Sequence, residues 1–240
     1  EGDYTLSFSG SQKVRVVPAD PHSGKYVFWG NRHDSSDTTL TREFDLSAVD
    51  SATLTYWAWW SIEKNYDYAY VEVSTDGGDS WLMLETPKGT AANPTGNNLG
   101  WGYHHNSGGE EHPEWVQENV DLTYYAGDVI QVRFEYITDG AINRPGMMLD
   151  DINVPEIGYE DDIENGSGGW NGHGWVRFDN LLPQTWIVQI VRQDEQSVTR
   201  IPLESGQGEI SLTGPAILVV SGTTPFTTES AAYEIVARRQ

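Results

Sequence analysis

The sequence predicts an all-β protein, and three observations support this fold class. Apolar residues alternate with polar ones over short runs, which is the period of a β-strand with one buried face. Gly, Asn, Asp and Pro separate the runs and favour turns. Patterns with the period of a helix are nearly absent, so we expect a β-sandwich.

The N-terminal part of the chain contains the clearest strand patterns. The run at 52–60 is apolar on both faces, which is typical of a central strand that is covered on both sides. Residues 74–81 fit the hairpin known as an Asp-box, for which we expect a structural role. The predicted strands lie at residues 26–29, 39–46, 52–60, 66–74, 81–84, 129–137 and 146–154.

The composition changes after residue 157, where an acidic stretch is followed by a glycine-rich one. Such a change favours a domain boundary. We therefore expect a first domain at residues 1–157 and a smaller β-sandwich domain at residues 158–240. The strands predicted in the second domain lie at residues 175–178, 186–191, 198–203, 209–212, 216–220 and 233–236.

The charge and residue usage exclude several classes of protein. The chain has 36 acidic and 14 basic residues, a formal net charge of -22, and no basic patch that would bind nucleic acid. It has no cysteine, which excludes disulfides, thiolate metal sites and a cysteine nucleophile. No apolar run approaches the roughly 20 residues that cross a bilayer, so we expect no membrane insertion.

Two pairs of aspartates are candidate metal ligands. Asp150 and Asp151 interrupt an apolar strand, and alternation should point them to opposite faces. A buried carboxylate must be ion-paired, hydrogen-bonded or bound to a metal, and cationic side chains are scarce here. Oxygen ligands select a hard ion, so we expect structural Ca²⁺, with Asp34 and Asp37 at the other end of the site. The acidic stretch at 160–162 fits a solvated linker at least as well as a third site.

A long loop at residues 87–113 contains aromatic and histidine residues. Loops of this length are typically functional or disordered. Trp101 and Tyr103 are candidates for stacking on a sugar, whereas the tryptophans of 52–60 fit core packing better. His104, His105 and His112 could hold zinc only through loop folding, and plain loop histidines explain them better.

The sequence offers no recognised catalytic motif. It lacks the His-Glu-x-x-His zinc motif, the Gly-x-Ser-x-Gly elbow and a phosphate-binding loop. No pair of carboxylates is singled out for glycoside hydrolysis. We therefore expect a protein that is not an enzyme.

Several longer motifs carry a resemblance to a known family. Residues 26–32 (YVFWGNR), 37–46 (DTTLTREFDL), 67–78 (DYAYVEVSTDGG), 133–136 (RFEY) and 149–152 (LDDI) resemble the region after the catalytic domain in immune inhibitor A-type secreted metallopeptidases. That region is similar to MAM-type jelly rolls. Residues 161–162 (DD), 168–170 (GGW), 174–177 (GWVR) and 179–180 (DN) resemble the small β domain that follows it.

The resemblance implies a fold and a role. It implies a jelly-roll sandwich at residues 1–157, calcium within it, and a non-catalytic accessory module of a secreted prokaryotic protein. Expected partners are other domains of the same polypeptide and protein or glycan ligands at a cell surface. The alternatives are a carbohydrate-binding module that uses Trp101 and Tyr103, and a structural subunit of a cell-surface layer or filament.

Overall fold

The computed structural model describes residues 3–240, whose regular secondary structure is β-strand apart from short 3-10 helices at Thr123–Tyr125 and Pro155–Ile157. No helix in this part of the chain is long and apolar enough to span a bilayer. The strands are β1 (Asp3–Gly10), β2 (Lys13–Arg15), β3 (Val27–Trp29), β4 (Asp37–Asp45), β5 (Thr53–Ser61), β6 (Tyr68–Ser74), β7 (Leu82–Met83), β8 (Val116–Asp121), β9 (Val129–Ile137), β10 (Gly146–Val154), β11 (Tyr159–Asp161), β12 (Asn171–His173), β13 (Val176–Phe178), β14 (Leu181–Pro183), β15 (Trp186–Arg192), β16 (Ser197–Arg200), β17 (Gln207–Thr213), β18 (Ile217–Gly222) and β19 (Tyr233–Arg239).

The chain divides into two compact units. The first, which we call the sandwich unit, is Asp20–Asp179. The second, the terminal unit, combines the segment that ends at Ala19 with Asn180–Gln240. The all-β sandwich prediction is confirmed.

The sandwich unit consists of two antiparallel sheets. The first sheet has the order β13-β3-β10-β5-β8, with β11 also pairing with β10, and the second has the order β12-β4-β9-β6-β7. Successive side chains of β4 and β9 point alternately to the two faces of the sheet. Leu40, Phe44 and Phe134 are on the inward face and form part of the core. They pack against buried residues of the first sheet, such as Tyr56 and Leu149.

The terminal unit has two three-stranded sheets and one short strand pair. The sheets have the orders β17-β1-β19 and β16-β15-β18, and β14 pairs with β2. Its core contains Leu6, Phe8, Trp186, Val188 and Ile190. The N-terminal strand is therefore an integral part of this unit.

The domain boundary that we predicted after residue 157 is corrected by this division. Residues 158–179 belong to the sandwich unit, because β11, β12 and β13 pair with β10, β4 and β3. Trp170 and Trp175 are buried in the sandwich core. The acidic stretch is not a solvated linker: Asp161 accepts a hydrogen bond from the backbone N–H of Ile163 at 2.9 Å. Its composition resembled a linker because the segment turns sharply, with Gly168 and Gly169 at positive φ.

Candidate functional site

A β-bulge in β10 positions the two adjacent aspartates. Asp150 lies opposite Trp57 of β5 and Asn153 lies opposite Thr55, so β10 carries one extra residue. Asp151 has a left-handed backbone conformation, with φ 47°. The bulge breaks the alternation of side chains, and the carboxylates of Asp150 and Asp151 therefore both contact the same segment, residues 22–23. The expectation that they point to opposite faces was wrong.

Both aspartates are hydrogen-bonded to the segment that precedes β3. Asp150 is fully buried and accepts hydrogen bonds from the backbone N–H of Asp151 at 2.9 Å and of Ser23 at 3.0 Å. Asp151 accepts a hydrogen bond from the Ser23 hydroxyl at 2.9 Å and contacts Nδ1 of His22 at 2.7 Å. We call this cluster of four residues the Asp150 corner. Each of its four carboxylate oxygens has a partner.

The surroundings of the Asp150 corner are apolar on one side. The His22 ring stacks on Trp57 with 3.8 Å between centroids and meets the edge of Trp115 at 5.9 Å. Burial raises the pKa of Asp150 to about 7, and the neighbouring charge of Asp151 adds to this effect. The hydrogen bond from Ser23 N–H opposes the shift. The arrangement fastens residues 22–23 onto the sheet.

Calcium fits the Asp150 corner poorly. This ion takes about 6–8 oxygen ligands. Here one of the three potential ligand groups is an imidazole, and the carboxylate oxygens already accept hydrogen bonds. The calcium prediction rested on a buried carboxylate without a partner, and Asp150 has two.

Asp34 and Asp37 do not join the Asp150 corner. Asp34 is half-buried in the β3–β4 loop and accepts a hydrogen bond from Nδ2 of Asn143 at 3.0 Å. Asn143 precedes Gly146, the first residue of β10, whereas Asp150 lies four residues into the strand, about 13 Å farther along. Asp37 is exposed at the start of β4. The single site that we expected between the two pairs of aspartates does not form.

The candidate sugar-binding residues lie in different environments. Tyr103 is fully buried, and its hydroxyl lies 2.6 Å from that of Tyr56 and donates a hydrogen bond to Glu118 at 3.0 Å. A ring without exposed surface cannot stack on a ligand, so the prediction for Tyr103 was wrong. Trp101 is partly exposed, and its predicted role stays a prediction.

The loop histidines are held by separate contacts. Nδ1 of His104 accepts a hydrogen bond from the backbone N–H of Asn65 at 3.1 Å, and Nε2 of His105 lies 3.3 Å from Glu110. His112 is exposed. Among residues 3–240 these histidines belong to no group with metal-ligating geometry, which agrees with plain loop histidines.

A second acidic cluster was missed in the sequence. One carboxylate oxygen from each of Glu63, Asp67 and Asp139 lies within 4.8 Å of the others. We call these three residues the Asp67 cluster. Oδ1 of Asp67 accepts a hydrogen bond from the backbone N–H of Asp139 at 2.8 Å, while Oδ2 is buried and has no partner in the part of the chain that the structure describes. Burial raises the pKa of Asp67 to about 6.

A weak signal for this cluster exists in the sequence. Asp67 directly precedes β6 and Asp139 lies two residues after β9, so both are acids at the ends of apolar strands. The two strands pair with each other, and Tyr68 lies opposite Ile137. A reader who knew this pairing could have placed the two carboxylates together.

Comparison with protein families gives a match over most of the chain. A family model described as "Immune inhibitor A-like, MAM domain" matches residues 10–180. This range contains the whole sandwich unit.

Three relatives illustrate the similarity to characterised proteins. The pre-pro-metalloprotease PrtV of Vibrio cholerae serotype O1 (strain M66-2) is 30% identical over 157 residues, which cover 64% of this chain and 16% of the relative. Immune inhibitor A of Bacillus thuringiensis subsp. alesti is 28% identical over 150 residues, covering 60% and 20%. Bacillopeptidase F of Bacillus subtilis (strain 168) is 26% identical over 141 residues, covering 56% and 8%. The chain therefore aligns with a minor part of each of these proteins.

Proposed function

The chain belongs to the immune inhibitor A-like MAM domain family, and from this premise we propose that it is a non-catalytic accessory module of a secreted metallopeptidase-like protein. The family match confirms the resemblance found in the sequence. The proposal depends chiefly on one observation. The chain, most of which is a two-sheet sandwich, aligns with only 16% of the length of a relative named as a metalloprotease and 20% of the length of one named as an immune inhibitor.

The proposed role is docking or adhesion outside the cell. The three relatives are bacterial, and in each of them the matching stretch is part of a longer polypeptide. The partners that we propose are the other domains of the same polypeptide and a protein or glycan surface. The proposed location is the medium or the cell surface of a prokaryote.

The parentage and the lack of catalysis can be tested directly. The gene upstream of residue 1 should encode a His-Glu-x-x-His segment, and its absence from the full gene would contradict the parentage. The chain itself, incubated with zinc and fluorescent casein, should release no soluble peptides. Hydrolysis that survives further purification would refute the non-catalytic role.

Structural calcium is the second part of the proposal. Its support is the acidic surplus of the chain, 36 acidic against 14 basic residues, together with the unpartnered buried oxygen of Asp67. A free calcium concentration about 100-fold above Kd adds about 2.7 kcal/mol to the free energy of unfolding. For a unit of this size that raises Tm by roughly 5–10 °C.

Thermal unfolding tests the calcium proposal. The protein is stripped with EDTA, exchanged into metal-free buffer and melted with and without 1 mM CaCl₂ (about physiological for an extracellular site), with MgCl₂ at the same concentration as a control. We expect a higher Tm in calcium. Identical melts with calcium and with EDTA would refute structural calcium.

A further inference from the structure

We propose that the Asp67 cluster is a binding site for one hard divalent cation of the calcium type, and that this ion joins the β5–β6 and β9–β10 loops at one end of the sandwich unit. The inference rests on the calcium part of the proposed function and assigns it a place. The residues are Glu63, Asp67 and Asp139, none of which belongs to the Asp150 corner.

The spacing of the three carboxylates suits a single ion. Calcium binds oxygen ligands at about 2.3–2.6 Å, so two ligand oxygens on one ion are at most about 5 Å apart. The three ligand oxygens of the cluster lie within 4.8 Å of one another. All are carboxylate oxygens, which a hard cation prefers to an imidazole nitrogen.

An independent observation points to a ligand at this position. Asp67 has no exposed surface, and its Oδ2 has no hydrogen-bond donor among residues 3–240. Leaving such a group unpaired in the interior is costly, so native proteins normally provide a donor, a cation or a metal. The Tyr136 hydroxyl, which lies near enough to Asp67 to interact with its charge, is a second buried oxygen without a hydrogen-bond partner among residues 3–240.

Protein cations do not neutralise the cluster. In residues 3–240, no Lys or Arg nitrogen lies within 4.0 Å of a carboxylate oxygen of Glu63, Asp67 or Asp139. Arg144 is the basic residue whose charge acts on Glu63, but it forms no ion pair with that carboxylate within 4.0 Å. Asp34 adds a further negative charge near Glu63 and Asp67.

The Asp150 corner provides an internal comparison. There, the buried carboxylate of Asp150 and the partly exposed one of Asp151 have partners for all four oxygens, including a hydroxyl and two backbone N–H groups. In the Asp67 cluster the buried carboxylate has a donor on one oxygen only. The two clusters therefore satisfy their charge by different means, hydrogen bonds in one and a cation in the other.

The topology explains what an ion would do at the Asp67 cluster. The β5–β6 and β9–β10 connections each pass from one sheet to the other. The first contains Glu63 and Asp67, and the second contains Asp139. The β3–β4 connection is a third crossing at the same end, and its Ser35 N–H donates to the Asp139 carbonyl at 2.5 Å. An ion bound here would hold the two sheets together at the loops where the chain changes sheet.

Calcium titration of matched variants tests the site. Isothermal titration of the metal-free protein with CaCl₂ should show one site, and Asp67→Asn should weaken the affinity at least roughly tenfold because a charged ligand is lost. Asp151→Asn is the matched control in the Asp150 corner and should bind calcium like the wild type. Asp139→Asn, a change at a partly exposed position, is the second test if Asp67→Asn does not fold. Far-UV circular dichroism checks that each variant is folded.

The melting temperatures separate an ion-binding role from a purely structural one. In EDTA, Asp67→Asn should melt no lower than the wild type, because it removes a buried charge that has no ion-pair partner, while the amide oxygen can still accept the hydrogen bond from the Asp139 N–H. In calcium it should gain little, while the wild type gains several degrees. A drop of equal size in both conditions would show that Asp67 is a structural residue and would overturn the site.

The calcium titrations also separate two hypotheses: that calcium binds at the Asp67 cluster, and that the protein binds structural calcium at all. Wild-type calcium affinity in both Asp67→Asn and Asp139→Asn would overturn the site, and a loss confined to Asp151→Asn would move the ion to the Asp150 corner. In either case structural calcium would stand. The absence of calcium binding and of any calcium effect on the wild-type melt would overturn both.

Discussion

Replacement of Asn180 by alanine should strongly destabilise the terminal unit. The buried Asn180 side chain joins the two segments of this unit: Nδ2 donates to the carbonyls of Val17 at 2.9 Å and Ala19 at 2.6 Å. Oδ1 accepts from the backbone N–H groups of Val16 at 3.2 Å and Val17 at 2.8 Å. One side chain thus satisfies four backbone groups of the segment before the sandwich unit.

The expected loss in free energy of unfolding has two sources, the four hydrogen bonds and the left-handed backbone conformation of Asn180. Each hydrogen bond contributes a net of about 0.5–1.5 kcal/mol, so four of them amount to about 2–6 kcal/mol. Asn180 also has φ 57°. Alanine in the left-handed region costs about 1 kcal/mol more than glycine, whereas asparagine tolerates this conformation. We expect Asn180→Ala to lower the free energy of unfolding by about 3–7 kcal/mol, and Asn180→Gly to lower it by about 1 kcal/mol less.

Urea unfolding combined with hydrogen-exchange mass spectrometry measures both the size and the place of the effect. Peptides from β1 and β17 should exchange faster in Asn180→Ala, while peptides from β9 and β10 should keep their protection. Asn180→Gly serves as the matched variant that isolates the backbone contribution. A loss below about 1 kcal/mol in Asn180→Ala would refute the reasoning, because the four hydrogen bonds and the backbone together should contribute at least about 3 kcal/mol.

Two further predictions concern the sandwich unit. Burial raises the pKa of Glu135 from its usual value of 4.5 to about 7. The native state therefore binds more protons than the unfolded state between these pH values, and Glu135 should contribute a fall of at most about 3 kcal/mol in the free energy of unfolding from pH 4.5 to 7.5. Because the raised pKa values of Asp150 and Asp67 act in the same direction, Glu135→Gln should reduce the fall seen in urea titrations without abolishing it. Tyr103→Phe deletes the hydroxyl that donates to the buried Glu118, and it should cost about 2 kcal/mol in urea unfolding. Tyr124→Phe, at a side chain that is 90% exposed, should change stability by less than about 0.5 kcal/mol, and an equal effect of the two variants would contradict the role of the buried hydroxyl.

Much of the sandwich could be predicted from local patterns. The strands at 129–137 and 146–154 were predicted with the bounds that the structure has, Val129–Ile137 and Gly146–Val154. Long apolar runs bounded by turn residues leave little choice of conformation. The central position of β5 followed from its two apolar faces, and it lies between β10 and β8.

The domain boundary could not be predicted, because its cause is non-local. The segment Asp3–Gly10 alternates only briefly, and its partners begin at Gln207. Contacts at such separations leave no periodicity in the local sequence. The acidic stretch near residue 160 resembled a linker, although its strand pairs with β10.

The geometry of the candidate sites could not be predicted from the sequence, for two different reasons. Both aspartates of the Asp150 corner were found, but the positive φ of Asp151 is a backbone property that alternation cannot reveal. The Asp67 cluster joins residues separated by 72 positions, which only the sheet topology brings together. Tyr103 was misplaced because an aromatic residue in a long loop gives no local sign of whether the loop folds back onto the core.

The position of β1 between β17 and β19 has a consequence for the order in which the protein matures on the ribosome. At about 5–20 residues per second, the strands that pair with Leu6 and Phe8 are synthesised roughly 10–45 s after β1 itself. The sandwich unit is continuous in the chain and can complete its sheets within that interval. The first strand of the terminal unit is thus among the last strands of residues 3–240 to find its partners, and until then its apolar side chains remain open to misassociation.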